Sequence, residues 1–468
     1  MKIMILGAGI SQLPTIQATQ RMGVTSVVVD GSVDALFKSK ADIFYVADIK
    51  DHEKVLKVAM KEKVDGVICS GTDFPFTAAY VATKMSLPGI SLTAALICSN
   101  KYLQRKELRE KGFYVPNFIE IIDIKELYKI IGLKYPLVIK PVDNMAARGA
   151  RTIFSSIEIK DAYQNALKYS RSKKVIVEEF VEGMEFSIDA LSFNNEVSIY
   201  AFADRHFTLF PYFIENGHTC PTIMDSETRN YCETEYKEAV KSLGINIGAS
   251  KGDIKLTEKG FMFGEIAARI SGGFLSGWTY PFSTGVNQHE NLIRVHLGKS
   301  PEPITEQKLG FSAERVLLSI PGKVKEIINL ENAKKYDGVK LIHLHIKEGD
   351  EVDFPYNNAL RCGSVISFNK NRPKAIFEAQ IATSNIIIRL EPNNERTKKW
   401  LETENDFRMF RPGKDEVDWH GADIQKALAI IKRITKSSFS DLVNTKNFWK
   451  YFYKGGISGG IFATDSYK

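Results

Sequence analysis

Over the first 95 or so residues, continuous apolar runs alternate with amphipathic stretches. Ile3-Met4-Ile5-Leu6, Val27-Val28-Val29-Asp30 and Val64-Asp65-Gly66-Val67-Ile68 read as strands, and about Leu13 to Met22 reads as a helix closed by Gly23. Apolar strands separated by helices predict a parallel, doubly wound sheet, covered on both faces. Further on, Tyr102 to Lys111 has helical periodicity, with Ser99-Asn100 as its cap and Gly112 as its stop, and Pro116 restarts an extended segment. Tyr135 to Pro141 and Val175 to Val177 read as strands, and Gly183 turns the chain into an alternating strand that reaches Asp189. Two alternating runs, Asp253-Ile254-Lys255-Leu256 and Phe261 to Ile266, flank Glu258-Lys259-Gly260 and predict a hairpin. The helix after Asn287 runs to about Leu297. From Ser312 to Arg389 strand-like runs recur at Arg315–Leu318, Leu341–Ile346 and Ser364–Phe368, with turns at Pro321–Val324 and Gly349–Val352. A helix around Pro373 to Thr383 then leads into a strand from Ile386 to Leu390, and Ala422 to Ile434 reads as a last helix.

At 468 residues the chain has room for about three domains of ordinary size. With 44% hydrophobic and 25% charged residues it has the balance of a soluble globular protein. No apolar run approaches the ~20 residues that cross a bilayer, so no membrane partner is expected. The opening MKIMILGAG runs straight into a glycine turn and reads as a buried strand rather than a signal peptide. Five cysteines without paired spacing fit a reducing cytoplasm and argue against a zinc site or a disulfide frame. A net charge of +7 is mild, and the lysines are scattered, so nucleic acid is not an expected partner.

The hairpin holds the most telling chemistry. Its turn sets a register in which Asp253 and Glu265 lie side by side, and two adjacent carboxylates repel unless a cation joins them. Hard oxygen ligands suit Mg²⁺ or Mn²⁺, either of which can also bind nucleotide phosphates. Arg269 lies four residues past Glu265, suited to a carboxylate or phosphoryl group, and Ser271-Gly272-Gly273 follows. The plainer reading is a surface hairpin with solvated charges. Lys140 ends an apolar strand, where an unpaired ammonium is costly, so an anionic partner is expected. The loop Asp143 to Arg151 is rich in small residues, which let backbone N–H groups approach phosphate oxygens, though it also reads as an ordinary flexible loop. Gly7-Ala8-Gly9 with Asp30 has the outline of a dinucleotide turn, but Gln12 stands where the third glycine belongs, and a tight strand-to-helix turn near a substrate or an anion is preferred.

Taken in order, Lys101, Lys140-Pro141, the small-residue loop, Glu178-Glu179-Phe180-Val181-Glu182-Gly183-Met184-Glu185, Asp253 and Glu265-x-x-x-Arg269 resemble the ATP-grasp superfamily over roughly residues 1 to 390. The resemblance implies a mixed α/β and α+β architecture. A Rossmann-like pre-ATP-grasp domain would occupy 1–95, a two-lobed ATP-grasp domain 96–310, a biotin-carboxylase-like closing lobe 311–390 and an extension 391–468. It implies that Lys101 and Lys140 contact ATP phosphates and that Arg148 and Gly149 lie in the loop closing over them. Glu178, Glu179, Phe180 and Val181 would form the adenine hinge, Glu185 would hold the ribose, Asp253 and Glu265 would hold Mg²⁺, and Arg269 would steady an acyl-phosphate. Two departures stand out. Ala267 replaces the usual Asn between Glu265 and Arg269, and Asp253 is one methylene shorter than the common Glu.

The run Glu215 to Pro221 resembles the E-x-G-H-x-x-P stretch of ligases that join carboxylates to amines, which makes Glu215, His218, Ser271 and Gly272 candidate substrate residues. His218 reads equally as a catalytic base and as a packed loop histidine. His343 and His345 read as structural. The family implies an ATP-dependent carboxylate–amine ligase working through an acyl-phosphate, with a dipeptide-forming amino-acid ligase as the specific form. A bicarbonate-activating carboxylase component and a non-catalytic ATP-binding regulator stand as alternatives. The aromatic and glycine-rich end, Lys446 to Lys468, reads as a docking or subunit contact, which leaves room for a homodimer.

Overall fold

The computed structural model describes residues 1–402 apart from 208, 210, 306 and 308. The expected helix at Ala422–Ile434, the glycine-rich end and most of the 391–468 extension lie outside the described residues. No helix among the described residues is long and apolar enough to cross a membrane.

The N-terminal unit is the expected parallel sheet. Strands β1 (Lys2–Leu6), β2 (Thr25–Asp30), β3 (Ile43–Val46) and β4 (Gly66–Cys69) run in the order β3-β2-β1-β4. Met4, Leu6, Val27, Val29 and Val67 fill one face beneath the helices, and Ile5 and Val28 fill the other against Ile16, so the stretches Ile3–Leu6 and Val27–Val29 are apolar at successive positions. Gly7 adopts φ +98°, closed to most side chains, at the start of the turn. The turn is satisfied from within: Gly9 N donates to Gln12 Oε1 at 3.0 Å and Ala8 N donates to Asp30 Oδ2 at 2.8 Å. Gln12 thus occupies the turn that a third glycine would leave open.

A second, antiparallel sheet is built from β5 (Phe118–Ile121), β6 (Leu137–Pro141), β7 (Arg151–Ile153) and β8 (Val175–Glu179) in the order β5-β8-β6-β7. The helix Ile159–Tyr169 covers it through Ala162, Tyr163 and Ala166. Ahead of this sheet, the helix Lys101–Glu110 starts where Asn100 Oδ1 accepts from Tyr102 N and Leu103 N at 3.0 and 3.1 Å.

The third sheet carries the site. It contains β9 (Met184–Phe193), β10 (Glu196–Phe207), β11 (Glu215–Cys220), β12 (Gly248–Thr257), β13 (Gly260–Ala267) and β14 (Phe311–Leu317). The chain continues through β15 (Gly322–Ile328), β16 (Val339–Leu344), β17 (Glu351–Val352), β18 (Gly363–Asn369) and β19 (Ile387–Leu390). Eight strands join in the order β13-β12-β9-β10-β11-β14-β18-β16, while β17-β15-β19 form a small separate sheet. The boundary expected near residue 310 therefore does not interrupt the sheet, because β11 pairs directly with β14.

Two expected turns are corrected. Pro321–Val324 opens strand β15, and Gly349–Val352 runs into β17, because Gly322 and Lys323 pair with Val352 and Glu351. His343 and His345 pack with Phe274, at ring-centroid distances of 5.6 and 6.2 Å.

Candidate functional site

The β12–β13 hairpin has the expected register. Thr257 pairs with Gly260 across the turn, and Asp253 lies directly opposite Glu265. A bulge follows Asp253, and a Cβ on Gly264 would come within 2.8 Å of the Asp253 carbonyl oxygen. Cations crowd this pair of acids. Lys101 Nζ, at the start of its helix, lies 2.9 Å from Glu265 Oε1 and also donates to Asn144 O at 2.7 Å. Arg205 Nη1 is 2.9 Å from Asp253 Oδ1, which Lys251 Nζ also contacts. Burial pushes the Glu265 carboxyl up, but Lys101, then Lys251 and Arg269, outweigh it and hold it at about 2. The two carboxyl groups are adjacent and partly open, at 19% and 28% side-chain exposure, a donor set that fits one hard divalent ion. Among the described residues, no group of three or more His, Cys, Asp or Glu is placed to hold a metal.

Lys140 finds its anionic partner within the protein. Its Nζ is 2.5 Å from Glu178 Oε2, and Arg105 Nε is 2.7 Å from Glu178 Oε1. Arg105 also donates to the Gly264 carbonyl and so ties the small sheet to the hairpin. Burial pulls the Lys140 ammonium below its usual range more than Glu178 raises it, with Arg105 and Lys101 acting in the same direction as burial. Burial alone would raise the Glu178 carboxyl, but Arg105 and Lys140 outweigh it and keep it low. The Glu178 carboxylate is therefore engaged with these two bases, at 3% residue exposure.

The expected hinge is anchored by its backbone. Glu179 N donates to Asn117 O at 2.9 Å and Phe180 N to Pro136 O at 2.8 Å. Lys255 Nζ donates to Val181 O at 3.1 Å, sits 4.6 Å from the Phe180 ring centroid and pairs with Glu185 Oε1 at 2.8 Å. In the small-residue loop Ala146, Ala147 and Gly149 have φ of +58°, +57° and +72°, and a Cβ on Gly149 would meet Tyr169 at 2.9 Å. Asn358 N donates to Ala146 O at 2.9 Å, so the loop is tied to the C-terminal segment, with Arg148 half-buried beside it.

Beyond the acid pair, a line of alternating charge crosses the sheet. Arg205 Nε pairs with Glu215 Oε1 at 2.5 Å. His218 Nε2 lies 2.7 Å from Glu215 Oε1, and its Nδ1 lies 2.7 Å from Glu314 Oε2. Ser364 Oγ donates to Glu314 Oε1 at 2.8 Å. Burial works against the His218 imidazolium, but Glu215 and Glu314 outweigh it and raise its pKa above 6.5. A raised folded pKa adds stability that is fully present below 6.5 and is lost as pH rises through the folded value. A histidine-selective NMR titration is expected to place the His218 midpoint above 6.5, and Glu314→Gln is expected to lower it. A midpoint below 6.5 in the native protein contradicts the double clamp.

Ser271 donates its N and Oγ to the fully buried Asp189 at 3.1 and 2.5 Å, so it holds the Ser271-Gly272-Gly273 loop in place. Ser70 bridges to Ile270, which brings the N-terminal unit, with Asp73, up to Arg269. Arg269 is 9% exposed; its Nη1 donates to Ile270 O at 3.2 Å and its Nε has no partner. The expected residues thus fall into three connected groups: Asp253 and Glu265 with Lys101 and Arg269; Lys140 and Glu178 beside the hinge; Glu215 with His218. Arg105, Arg205, Lys251, Lys255 and Glu314 belong to the same network and were not foreseen. Their only sequence signal is a charged residue alternating with apolar ones on a strand, or standing on the buried face of a helix.

Residues 133–277 match the model of the ATP-grasp domain, and residues 315–391 match the model of the L-amino acid ligase C-terminal domain 2. A formate-dependent phosphoribosylglycinamide formyltransferase of Sulfolobus acidocaldarius is 24% identical over 364 residues, covering 73% of this chain and 87% of that protein. An L-arginine-specific L-amino acid ligase of Bacillus subtilis is 23% identical over 342 residues, covering 70% of this chain and 82% of that protein. Among solved structures, an L-amino acid ligase from Bacillus licheniformis has the same fold, with a TM-score of 0.73, 21% identity and coverage of 83% of this chain and 98% of that chain.

Proposed function

We propose that this chain, which belongs to the ATP-grasp superfamily, is an ATP-dependent carboxylate–amine ligase that joins an amino acid, or a related small carboxylate, to an amine. The observation that carries this reading is the Asp253–Glu265 pair set opposite each other on one strand hairpin, with Lys101 at 2.9 Å and Arg269 close enough to depress the Glu265 carboxyl. The C-terminal match to amino-acid ligases supports the substrate class.

Asp253 and Glu265 would hold a divalent ion, which would supply charge neutralisation at the phosphate oxygens. Lys101 and Lys140 hold the phosphates of ATP, and the loop around Arg148 and Gly149 excludes water above them. The hinge Glu179–Val181 receives the adenine, and Glu185 the ribose. The carboxylate oxygen of the first substrate attacks the γ-phosphorus, the bond to ADP breaks, and an acyl-phosphate forms. Arg269 stabilises charge on the transferred group. The amine then attacks the acyl carbon, phosphate departs with the electron pair, and the amine gives up its extra proton. With Nε2 on Glu215 and Nδ1 on Glu314, His218 has neither ring nitrogen free to take this proton, so it orients the substrate rather than acting as the base. The Glu215–His218–Glu314 line holds it there.

Phosphate release from ATP and Mg²⁺ tests the reading, run against pooled amino acids, pooled other carboxylates with amines, and bicarbonate. Release that requires both a carboxylate and an amine is the expected result. Release driven by bicarbonate alone assigns the chain to carboxylases instead. Nucleotide binding with no release on any pool favours a regulator.

A further inference from the structure

Ala267 offers no ligand atom, and its place in the sheet shows what takes up the space above it. The β12–β13 register sets Lys251 directly opposite Ala267, two pairs along from Asp253 opposite Glu265, with Gly252 opposite Ile266 between them. Alternate residues on a strand share a face, so Lys251, Asp253, Glu265 and Ala267 all project toward the same side. Directly opposed side chains on antiparallel strands have Cβ atoms about 5 Å apart, and a lysine facing an alanine has free room above it. The Lys251 ammonium uses that room: it contacts Asp253, and its side chain is 14% exposed. Its charge also bears on Glu265 and Glu215, placing it between the acid pair and the substrate side.

The ligands and the charges agree. A divalent ion that keeps several waters is satisfied by the two carboxylates of Asp253 and Glu265 plus phosphate oxygens. A second ion would need another protein oxygen beside Glu265, where the opposed pair supplies a methyl group and an ammonium. Like charge then keeps a second cation away from Lys251.

We infer that Lys251 takes the place of a second divalent cation, so that the nucleotide complex of this protein holds one metal ion, with the lysine supplying the other positive charge beside the phosphates. The inference rests on the ATP-dependent reading above. A fixed ammonium is present before nucleotide arrives, so part of the charge that neutralises the phosphates does not depend on metal concentration.

Mn²⁺ counting by electron paramagnetic resonance tests it, on the full chain saturated with the β,γ-imido analogue of ATP. Nucleotide occupancy is measured separately by calorimetry. The wild-type protein is expected to bind one Mn²⁺ per bound nucleotide. The variant Lys251→Gln with Ala267→Asn, which removes the ammonium and adds an amide oxygen, is expected to bind two, and Lys251→Gln alone is expected to show the second at weaker affinity. Two Mn²⁺ per nucleotide in the wild type overturn the inference while leaving the ligase reading intact. A count of one in both variants, with nucleotide still bound and melting unchanged, removes Lys251 as the excluding group. A wild-type protein that binds no nucleotide sinks the ligase reading, and this inference with it.

Discussion

Glu265→Gln is expected to lower kcat/KM for ATP-dependent ligation by on the order of 10³-fold, about 4 kcal/mol of transition-state stabilisation. The amide keeps the shape of the side chain but removes one of two adjacent anionic ligands. It also leaves Lys101, now 2.9 Å from a neutral group, without its main counter-charge. Two effects therefore point the same way under the proposed mechanism: weaker metal binding, and displacement of Lys101 from the place proposed for the phosphates. Phosphate release measured with a working substrate pair checks the size. Calorimetry with the non-hydrolysable analogue separates lost binding from lost chemistry, because a purely chemical defect leaves the nucleotide affinity unchanged. A fall of less than tenfold would falsify the assignment of Glu265 as a metal ligand. Because Lys101, Lys251 and Arg269 hold its carboxyl at about 2, the loss should be the same at pH 6 and pH 8.

Glu178→Ala is expected to destabilise the small sheet by about 3–5 kcal/mol, since removing one member of a buried charge cluster strands the others. Here both Lys140 and Arg105 lose their carboxylate, and the Arg105 side chain is only 1% exposed. Local stability can be read from hydrogen exchange at the β6 and β8 amides, which should speed up by at least about 10² relative to the wild type. Asp161→Ala serves as the control. It breaks the Arg151 pair at the edge of the same sheet, where the acid is 76% exposed, and such a pair contributes at most about 1 kcal/mol. If the two variants exchange alike, the Lys140–Glu178–Arg105 cluster is not what holds β6 to β8.

Elements governed by local periodicity were legible in the sequence. The hairpin register, which sets Asp253 beside Glu265, follows from two alternating runs and a short turn, and the helix Lys101–Glu110 starts at its asparagine cap as expected. The need of Lys140 for an anion was also legible, since it follows from the cost of burying charge. Which anion was not, because Glu178 reaches Lys140 only through the pairing of β8 with β6. The same reason hides Arg205, which meets Glu215 and His218 on the neighbouring strand and Asp253 two strands away in a sheet whose order does not follow the chain. Strand order is decided by how several faces are buried at once, and no short window of sequence carries that information. Lys251 is the instructive intermediate case. Its register opposite Ala267 was already fixed by the hairpin, but an isolated lysine on a strand looks like any solvated surface charge until the crowding around it is seen.

The pairing of β11 with β14 bears on how the protein can be divided. A fragment stopped near residue 310 would leave β11 with open amides and carbonyls along the edge that Ser312 to Arg315 now occupy. Such an edge invites pairing with other chains. It would also strip Glu314 from His218 and Asn358 from the loop at Ala146, so the truncated piece would lose parts of its own pocket lining along with its solubility. The domain boundary that a family match suggests is thus a poor place to cut, and the smallest workable expression unit must carry the strands through β18.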